Sequence, residues 1–354
     1  SYEARAFGVS SAMSMAEACR RCPQAVVLPV RHGLYSRVSA QVMSVLAEVT
    51  PVLEKVSIDE AFLDVTGARR RMGPPVTIGR WIRAEVRRRV GVPASVGIAS
   101  TKFVAKLASS HAKPDGLLLI PAHATQDFLN LLPVGALWGV GARTQKVLAR
   151  WGINDVRALA DADARHLEKI LGRAAGRHLH ELSHGIDPRR VEPVREEKSV
   201  GTETTFFDTV ADREHARRVL LDQTHQCAAR LRAGDLRCRV VVLKARGADF
   251  TTVTRSRTLA VPTDLARDIW EIVAALFSAL PTPAGGFRLL GVRVEGLLRP
   301  DDGVQLLLDE DSRRGAPERV ADAVRRRWGN GALAPASLLR GEGGGTRRPR
   351  GGAG

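Results

Sequence analysis

The hydrophobic positions of the chain alternate between two periods along its first third. Residues 38–49 (VSAQVMSVLAEV) place Val38, Val42, Val45, Leu46 and Val49 at helical spacing. In 80–90 (RWIRAEVRRRV), Ile82, Val86 and Val90 share one face and the arginines take the others. Short apolar runs of strand character lie between and after these helices: VSIDEAFLDVTG, ending at Thr66-Gly67, then PASVGIAS (93–100) and GLLLI (116–120). A helical FVAKLASSHA (103–112) separates the last two. Strands separated by helices of about ten residues predict α/β structure, one sheet covered by helices. The opening SYEARAFGVSSAMSMAEACRRCP reads as helical, broken around Gly8 and ended before Pro23.

After Pro121 the strand pattern stops. Residues 124–185 hold several short helices, with Gly139-Val140-Gly141 between two of them, and the charge-rich DPRRVEPVREEK (187–198) reads as a linker. A second unit follows: a strand near 200–207, a helix at 211–232, strands at 237–246 and 250–260, a helix at 263–279 and a strand at 287–298. That βαββαβ order is the ferredoxin-like plan. The remainder holds one amphipathic helix, PERVADAVRRRW, and a Gly/Arg-rich end, GEGGGTRRPRGGAG, expected to be disordered.

Composition narrows the function. A chain of 354 residues is long enough for two or three domains, and 44% hydrophobic with 26% charged residues is ordinary for a soluble globular protein. No apolar run approaches the ~18 residues of a membrane span and no signal peptide is visible, so a cytoplasmic protein without a membrane partner is expected. Four cysteines form no disulfide framework. Cys19 and Cys22 make a C-x-x-C without a second pair at zinc spacing, and read as two structural thiols rather than a metal or redox site. Lys+Arg 54 against Asp+Glu 38 leaves a net charge of +16, which points to a polyanionic partner, although an Arg-rich codon background accounts for part of it.

One strand-like run carries the chemistry. In SIDEAFLDV (57–65) two acids, Asp59 and Glu60, are adjacent. On a regular strand they would face opposite ways, so both reach one site only at an irregular strand end or a hairpin tip. They are then either two solvated acids or a carboxylate pair neutralised by divalent cations. Mg²⁺ takes one or two protein carboxylates together with substrate phosphates. Basic residues suited to phosphate are Tyr2's neighbour Arg5, three positions on in YEAR, and Lys113 in AKPDG.

SYEARAFGV, SIDEAFLDV and VGIASTKFVAKLASSHAKPDG, in this order and spacing, resemble the Y-family translesion DNA polymerases, the DNA polymerase IV (DinB) branch most closely. The resemblance runs from residue 1 to about 300. It implies an α+β multidomain fold: partial fingers at 1–31, an incomplete ferredoxin-like palm at 32–120, and a small helical thumb with a helix-hairpin-helix at 121–187. A linker at 188–198, a βαββαβ little finger at 199–300 and a C-terminal tail at 301–354 complete it. Asp59 then corresponds to a ligand of the catalytic metals and Glu60 to the acid beside the primer 3′-hydroxyl. Tyr2, Arg5 and Lys113 match positions that hold the incoming triphosphate. The implied reaction is two-metal nucleotidyl transfer with Mg²⁺, Mn²⁺ being able to substitute. Primer–template DNA and deoxynucleoside triphosphates are the implied partners of a monomer.

In WGVGAR (138–143), Gly139 and Gly141 would let a duplex phosphate approach the start of a helix. Arg237 and Arg239, Lys244 and Arg246, and Arg255 and Arg257 are each two apart, so each pair shares a strand face, either solvated or along DNA. KSVGTETTF and TRSRTL match the little finger, which implies DNA contacts from Lys198, Arg255, Arg257 and Arg288. Gln305, Leu306 and Leu308 resemble the sliding-clamp peptide of bacterial polymerases, with Asp309 departing from it; a plain strand end is the alternative. The family's first palm strand, with another metal-binding aspartate, and its aromatic steric gate have no counterpart here. The sequence, which starts inside the fingers, is therefore expected to be a fragment or the product of a misplaced start site rather than a designed inactive form. The alternative to the enzyme is a non-catalytic DNA-binding accessory protein of the same lineage; the intact SIDE motif and Lys113 favour the enzyme.

Overall fold

Hydroxyl caps start the first two helices of the computed structural model, which describes residues 1–194, 196–299, 302, 315–329, 331–333 and 335–338. The Ala4 and Glu17 amides donate to Ser1 and Ser14, opening α1 (Tyr2–Ala6) and α2 (Met15–Arg21). Neither helix buries a residue. The apolar stripe expected at 38–49 belongs to a longer helix, α3 (His32–Ala47), which buries Met43, Val45 and Leu46. The expected continuous strand over VSIDEAFLDVTG is instead a hairpin. Strands β1 (Leu53–Lys55) and β2 (Ala61–Leu63) pair antiparallel, and residues 57–60 form its turn. The adjacent acids explain the difference: a continued strand would have aimed one of them at the core, where an unpaired charge is costly.

Next come α4 (Arg69–Met72) and α5 (Pro75–Val90), the latter begun by proline at its first position and buried through Ile78, Ile82 and Val86. Strands β3 (Val96–Ile98) and β4 (Leu117–Leu119) pair in parallel across α6 (Lys102–His111). One sheet was expected; the ladders link β1 only with β2 and β3 only with β4, giving two separate two-stranded sheets. Strands of three residues offer too few ladder bonds to fix a wider sheet, and helix packing takes over. Residues of α3, α5 and the hairpin share one core.

Helix α6 lies unusually close to β3. A Cβ at Gly97 would fall 2.0 Å from the Ala105 carbonyl oxygen and 2.2 Å from the Ser109 nitrogen. Only glycine fits there. The buried face of α6 (Phe103, Val104, Leu107, Ala108) continues into the core of five helices: α7 (Thr125–Asn130), α8 (Ala142–Ala149), α9 (Val156–Asp161), α10 (Ala164–Leu171) and α11 (Arg173–Ser183). The core thus continues across residue 121. Contacts divide the chain into Ser1–Arg195 and Glu196–Gly354.

The second unit has the expected element order: β5 (Ser199–Val210), α12 (Arg213–Ala233), β6 (Cys238–Gly247), β7 (Thr252–Thr263), α13 (Ala266–Ser278) and β8 (Phe287–Glu295). Its antiparallel sheet runs β5-β8-β6-β7. The last strand thus separates the first two, where the ferredoxin-like plan would put the third. Burial explains the order. Strands β6 and β8 bury consecutive residues on both faces (Val241, Val242, Leu243; Leu289, Leu290), which suits central positions, while β5 and β7 are polar and take the edges. Helices α12 and α13 cover one face.

The helix expected at PERVADAVRRRW is present as α14 (Ala316–Trp328) and is docked rather than loose. The Arg232 side chain, 6% exposed, forks onto Asp322 (2.6 and 3.2 Å), donates to the Asp264 carbonyl (2.7 Å) and pairs with Glu318. The same Glu318 accepts the Ala266 amide (3.0 Å), capping α13, whose own N-cap, Leu265, cannot. The tightest fit in the fold gives the first prediction. Gly97→Ala should lower the unfolding free energy of the first unit by about 1–3 kcal/mol, read as a lower urea midpoint. An unchanged midpoint would show that α6 can move off β3 freely.

Candidate functional site

The turn that carries the two acids is closed by the Val56 and Ser57 amides, which donate to the Glu60 carbonyl (3.0 and 3.2 Å). Ser57 Oγ donates to Asp59 Oδ1 (2.5 Å) and accepts the Asp59 amide (3.3 Å), so the serine of the motif orients the first carboxylate. Both acids are exposed. Glu60 Oε2 accepts a bond from Lys106 Nζ of α6 (2.5 Å).

A ladder of cations and rings joins the hairpin to α6. Lys102 Nζ bonds Glu54 of β1 (2.5 Å) and lies 5.1 Å from the Phe62 ring centroid of β2. One turn on, Lys106 Nζ lies 5.2 Å from the ring of Trp138, and the Phe62 and Trp138 rings stack at 6.3 Å and 27°. The other cation on Trp138 is the Arg189 guanidinium, at 4.9 Å. Arg189 also pairs with Asp187 (2.7 Å), whose side chain is fully covered and accepts the Phe103 amide at the start of α6 (3.3 Å). Burial pushes the Asp187 carboxyl up, but the Arg189 guanidinium and the amides outweigh it, and the group ends below the ordinary carboxylate range. Glu54 further accepts the Glu192 amide (2.8 Å) and Lys102 donates to the Arg190 carbonyl (3.1 Å). The linker was expected from 188; its first residues are in fact fastened to β1 and α6.

The remaining expected residues are less gathered. Tyr2 and Arg5 meet each other, the guanidinium carbon 5.8 Å from the ring, both exposed on α1. Lys113 is exposed just past α6, beside Asp115, which Arg83 and Arg87 hold. Among the described residues, no hydrogen bond or ion pair joins any of the three to the hairpin. Gly139 has φ +94° and Gly141 precedes α8 without a side-chain cap; a Cβ at either would meet nothing within 4 Å, so a ligand can approach this backbone closely. Cys19 and Cys22 are free thiols, the second buried.

As a cation site the hairpin is a pair. Among the described residues, no group of three or more His, Cys, Asp or Glu could hold a metal ion. Two carboxylates suit one hard cation that also takes phosphate oxygens. A second ion needs a further carboxylate beside them.

The hairpin, α1 and α6 all lie within residues 1–110, or at its edge, which match the family model described as the impB/mucB/samB family; residues 197–308 match the C-terminal domain of the same family. DNA polymerase IV of Desulfatibacillum aliphaticivorans is 38% identical over 96% of this chain and 86% of its own. The DNA polymerase IV of Halorhodospira halophila is 39% identical over 84% and 83%. This chain belongs to the DNA polymerase IV family. Among solved structures, a chimeric Y-family DNA polymerase superposes with TM-score 0.73 at 25% identity, covering 84% of this chain and 86% of that one. DinB from Sulfolobus solfataricus gives 0.55 at 25%, over 83% and 86%.

On the DNA polymerase IV frame the basic residues of the second unit divide. By strand register Arg255 and Arg257 stand opposite Leu243 and Val241, on the helix-covered side of edge strand β7, yet both are exposed. Lys244 and Arg246 point to the other face with Arg293. Lys244 with Arg246 and Arg255 with Arg257 each share a face, but the two pairs face opposite ways; Arg237 precedes β6 and Arg239 falls at its register shift. Lys244 and Arg293 hold Glu203 and Glu295, whereas Arg255 and Arg257 have no acidic partner among the described residues. The Arg288 guanidinium donates to the Phe206 and Phe207 carbonyls, bracing the irregular part of β5. Lys198 is exposed. Gln305, Leu306 and Leu308 fall outside the described residues, as does most of 301–314. No described helix is long and apolar enough to cross a membrane.

Sequence reasoning missed Lys102, Lys106, Glu54, Trp138 and the Asp187–Arg189 pair. The one available signal was the i,i+4 spacing of two lysines in an otherwise apolar first half of a helix. Asp187 gives the second prediction. Its depressed carboxyl means that, as pH falls, the unfolded chain takes up the proton first. Its contribution to stability is full above about pH 5 and is lost progressively below about pH 4. Asp187→Asn should therefore flatten the acid limb of the stability curve in urea melts between about pH 5 and pH 3. An acid limb of unchanged slope would show that this carboxylate does not anchor α6.

Proposed function

We propose that Asp59 and Glu60 supply the carboxylate ligands of the catalytic Mg²⁺ site of this DNA-directed DNA polymerase, with Mn²⁺ able to substitute. The enzyme is a Y-family lesion-bypass nucleotidyltransferase, consistent with its relatives. The observation that carries the site reading is the acidic hairpin tip. Two adjacent carboxylates are held out of the core in a family-matched stretch, one oriented by Ser57 and the other by Lys106. Bound there, the cation would lower the cost of charge on the attacking and leaving oxygens of an in-line displacement. The second Mg²⁺ of the two-ion reaction requires a carboxylate beyond this pair.

The chain's own residues bind and orient. Asp59 and Glu60 present oxygens without a covalent nucleophile, so catalysis rests on positioning and charge. Tyr2, Arg5 and Lys113 are assigned to the triphosphate of the incoming deoxynucleotide, and the open backbone at Gly139 and Gly141 to a duplex phosphate. We read residues 32–120 as palm, 121–187 as thumb, 199–300 as little finger and 1–31 as part of the fingers. Lys198, Arg255 and Arg257 then track the backbone of primer–template DNA without reading sequence. Arg255 and Arg257 suit this best because, among the described residues, neither is neutralised by an acid.

Primer extension tests the site. Asp59→Ala and Glu60→Ala should each lower the Mg²⁺-dependent rate at least about 10²-fold, the scale for losing one preorganised charge. Extension at the unaltered rate by both variants would refute the ligand assignment. For the DNA face, Arg255→Ala with Arg257→Ala should weaken duplex binding alike on unrelated sequences and reduce the slope of log affinity against log salt by about 2. Unchanged affinity and slope would mean that this edge is only solvated.

A further inference from the structure

The two lysines on α6 make the same kind of contact in different surroundings. Each ammonium meets an acid of the hairpin and a ring: Lys102 with Glu54 and Phe62, Lys106 with Glu60 and Trp138. The Lys102–Glu54 side chains are only 10% and 16% exposed, while those of Lys106 and Glu60 are 30% and 44% exposed. Lys102 and Glu54 also bond the backbone of Arg190 and Glu192. Separating that pair would leave two charges without water, which is strongly unfavourable. Separating Lys106 from Glu60 returns both to solvent at little cost. One rung of the ladder is permanent and the other is exchangeable.

The exchangeable rung ends on the acid that the proposed function assigns to a cation. We propose that Lys106 is a positioning residue that keeps the place of the cation at Glu60. Its ammonium holds the carboxylate while no cation is bound, yields it to a divalent ion, and then stays over the Trp138 face. The inference rests on the reading of the hairpin as a metal site. Three features of the contact support it. The ammonium sits 2.5 Å from the oxygen, where a hard cation would otherwise bind, so the two compete for it. The Trp138 ring gives the displaced ammonium a favourable position without an acid. The Phe62–Trp138 stack and the buried Lys102–Glu54 pair keep α6 and the hairpin in register during the exchange. The consequence is a hairpin that binds free cation weakly and accepts it readily as a metal–triphosphate complex, whose extra ligands outcompete one ammonium.

Mn²⁺ titration of the nucleotide-free protein, followed by electron paramagnetic resonance, tests this directly, with Asp59→Ala supplying the background. Lys106→Met should tighten Mn²⁺ binding roughly two- to fivefold, the range an exposed ion pair supplies. Lys106→Arg should keep the unaltered affinity. Methionine is a good helix former, so the variant retains α6. In a second measurement, acylation of lysines is read by mass spectrometry. Saturating Mn²⁺ should speed the labelling of Lys106 and leave Lys102 protected. Equal Mn²⁺ affinity in the unaltered and Lys106→Met proteins, or Lys106 labelling that ignores Mn²⁺, overturns the placeholder role alone. No Mn²⁺ uptake above the Asp59→Ala background by either protein overturns the metal reading and this inference with it.

Discussion

Adjacent side chains on a β-strand point to opposite faces, so Asp59 and Glu60 can share one solvent-facing site only where the chain leaves the strand. Much of the first unit is arranged around that constraint. The hairpin turns at Ser57–Glu60, the strands on either side are cut to three residues each, and Glu60 is held by a helix rather than by a wider sheet. That helix, α6, reaches Glu60 because Gly97 lets it lie against β3 at a distance no side chain would permit. Its lysines then meet the hairpin acids one turn apart.

The same helix links the acids to the rest of the unit. Its buried face belongs to the core of the five following helices, and its first turn is held by Asp187 from beyond them. Trp138, on the loop before α8, takes two cations, Lys106 from α6 and Arg189 from the segment after α11. The acidic turn and the glycine loop proposed for duplex phosphate are thereby parts of one packed body. The second unit is organised on a different principle: a sheet with apolar centre and basic, exposed edge, closed at one end by an Arg232-centred ion cluster that recruits α14.

Elements with a clear apolar pattern of their own were legible in the sequence to within a few residues: α6, α12, α13, β6 and β8 are cases. The order of that sheet was not legible, since strand order depends on which strands bury both faces, and β8 reveals this only against β6. The Asp59–Glu60 turn was legible as an alternative, because adjacency of two acids already conflicts with a strand; the continuous strand drawn through it was the error. What stayed hidden was long-range. Lys106 and Glu60 are 46 positions apart, Lys102 and Glu54 48, and nothing local marks one as the partner of the other. The bonds from Arg288 to the Phe206 and Phe207 carbonyls, 82 and 81 positions away, were equally hidden, since they depend on the irregularity of β5.

The central claim is that the turn at Asp59 and Glu60 is where the catalytic cation binds. Its most direct measurement is anomalous diffraction from crystals of the protein grown with primer–template DNA, a non-hydrolysable deoxynucleotide and Mn²⁺. The account predicts a manganese peak within coordination distance of carboxylate oxygens of both residues, bridged to the triphosphate. A triphosphate-bound manganese with neither Asp59 nor Glu60 in its coordination sphere would contradict it.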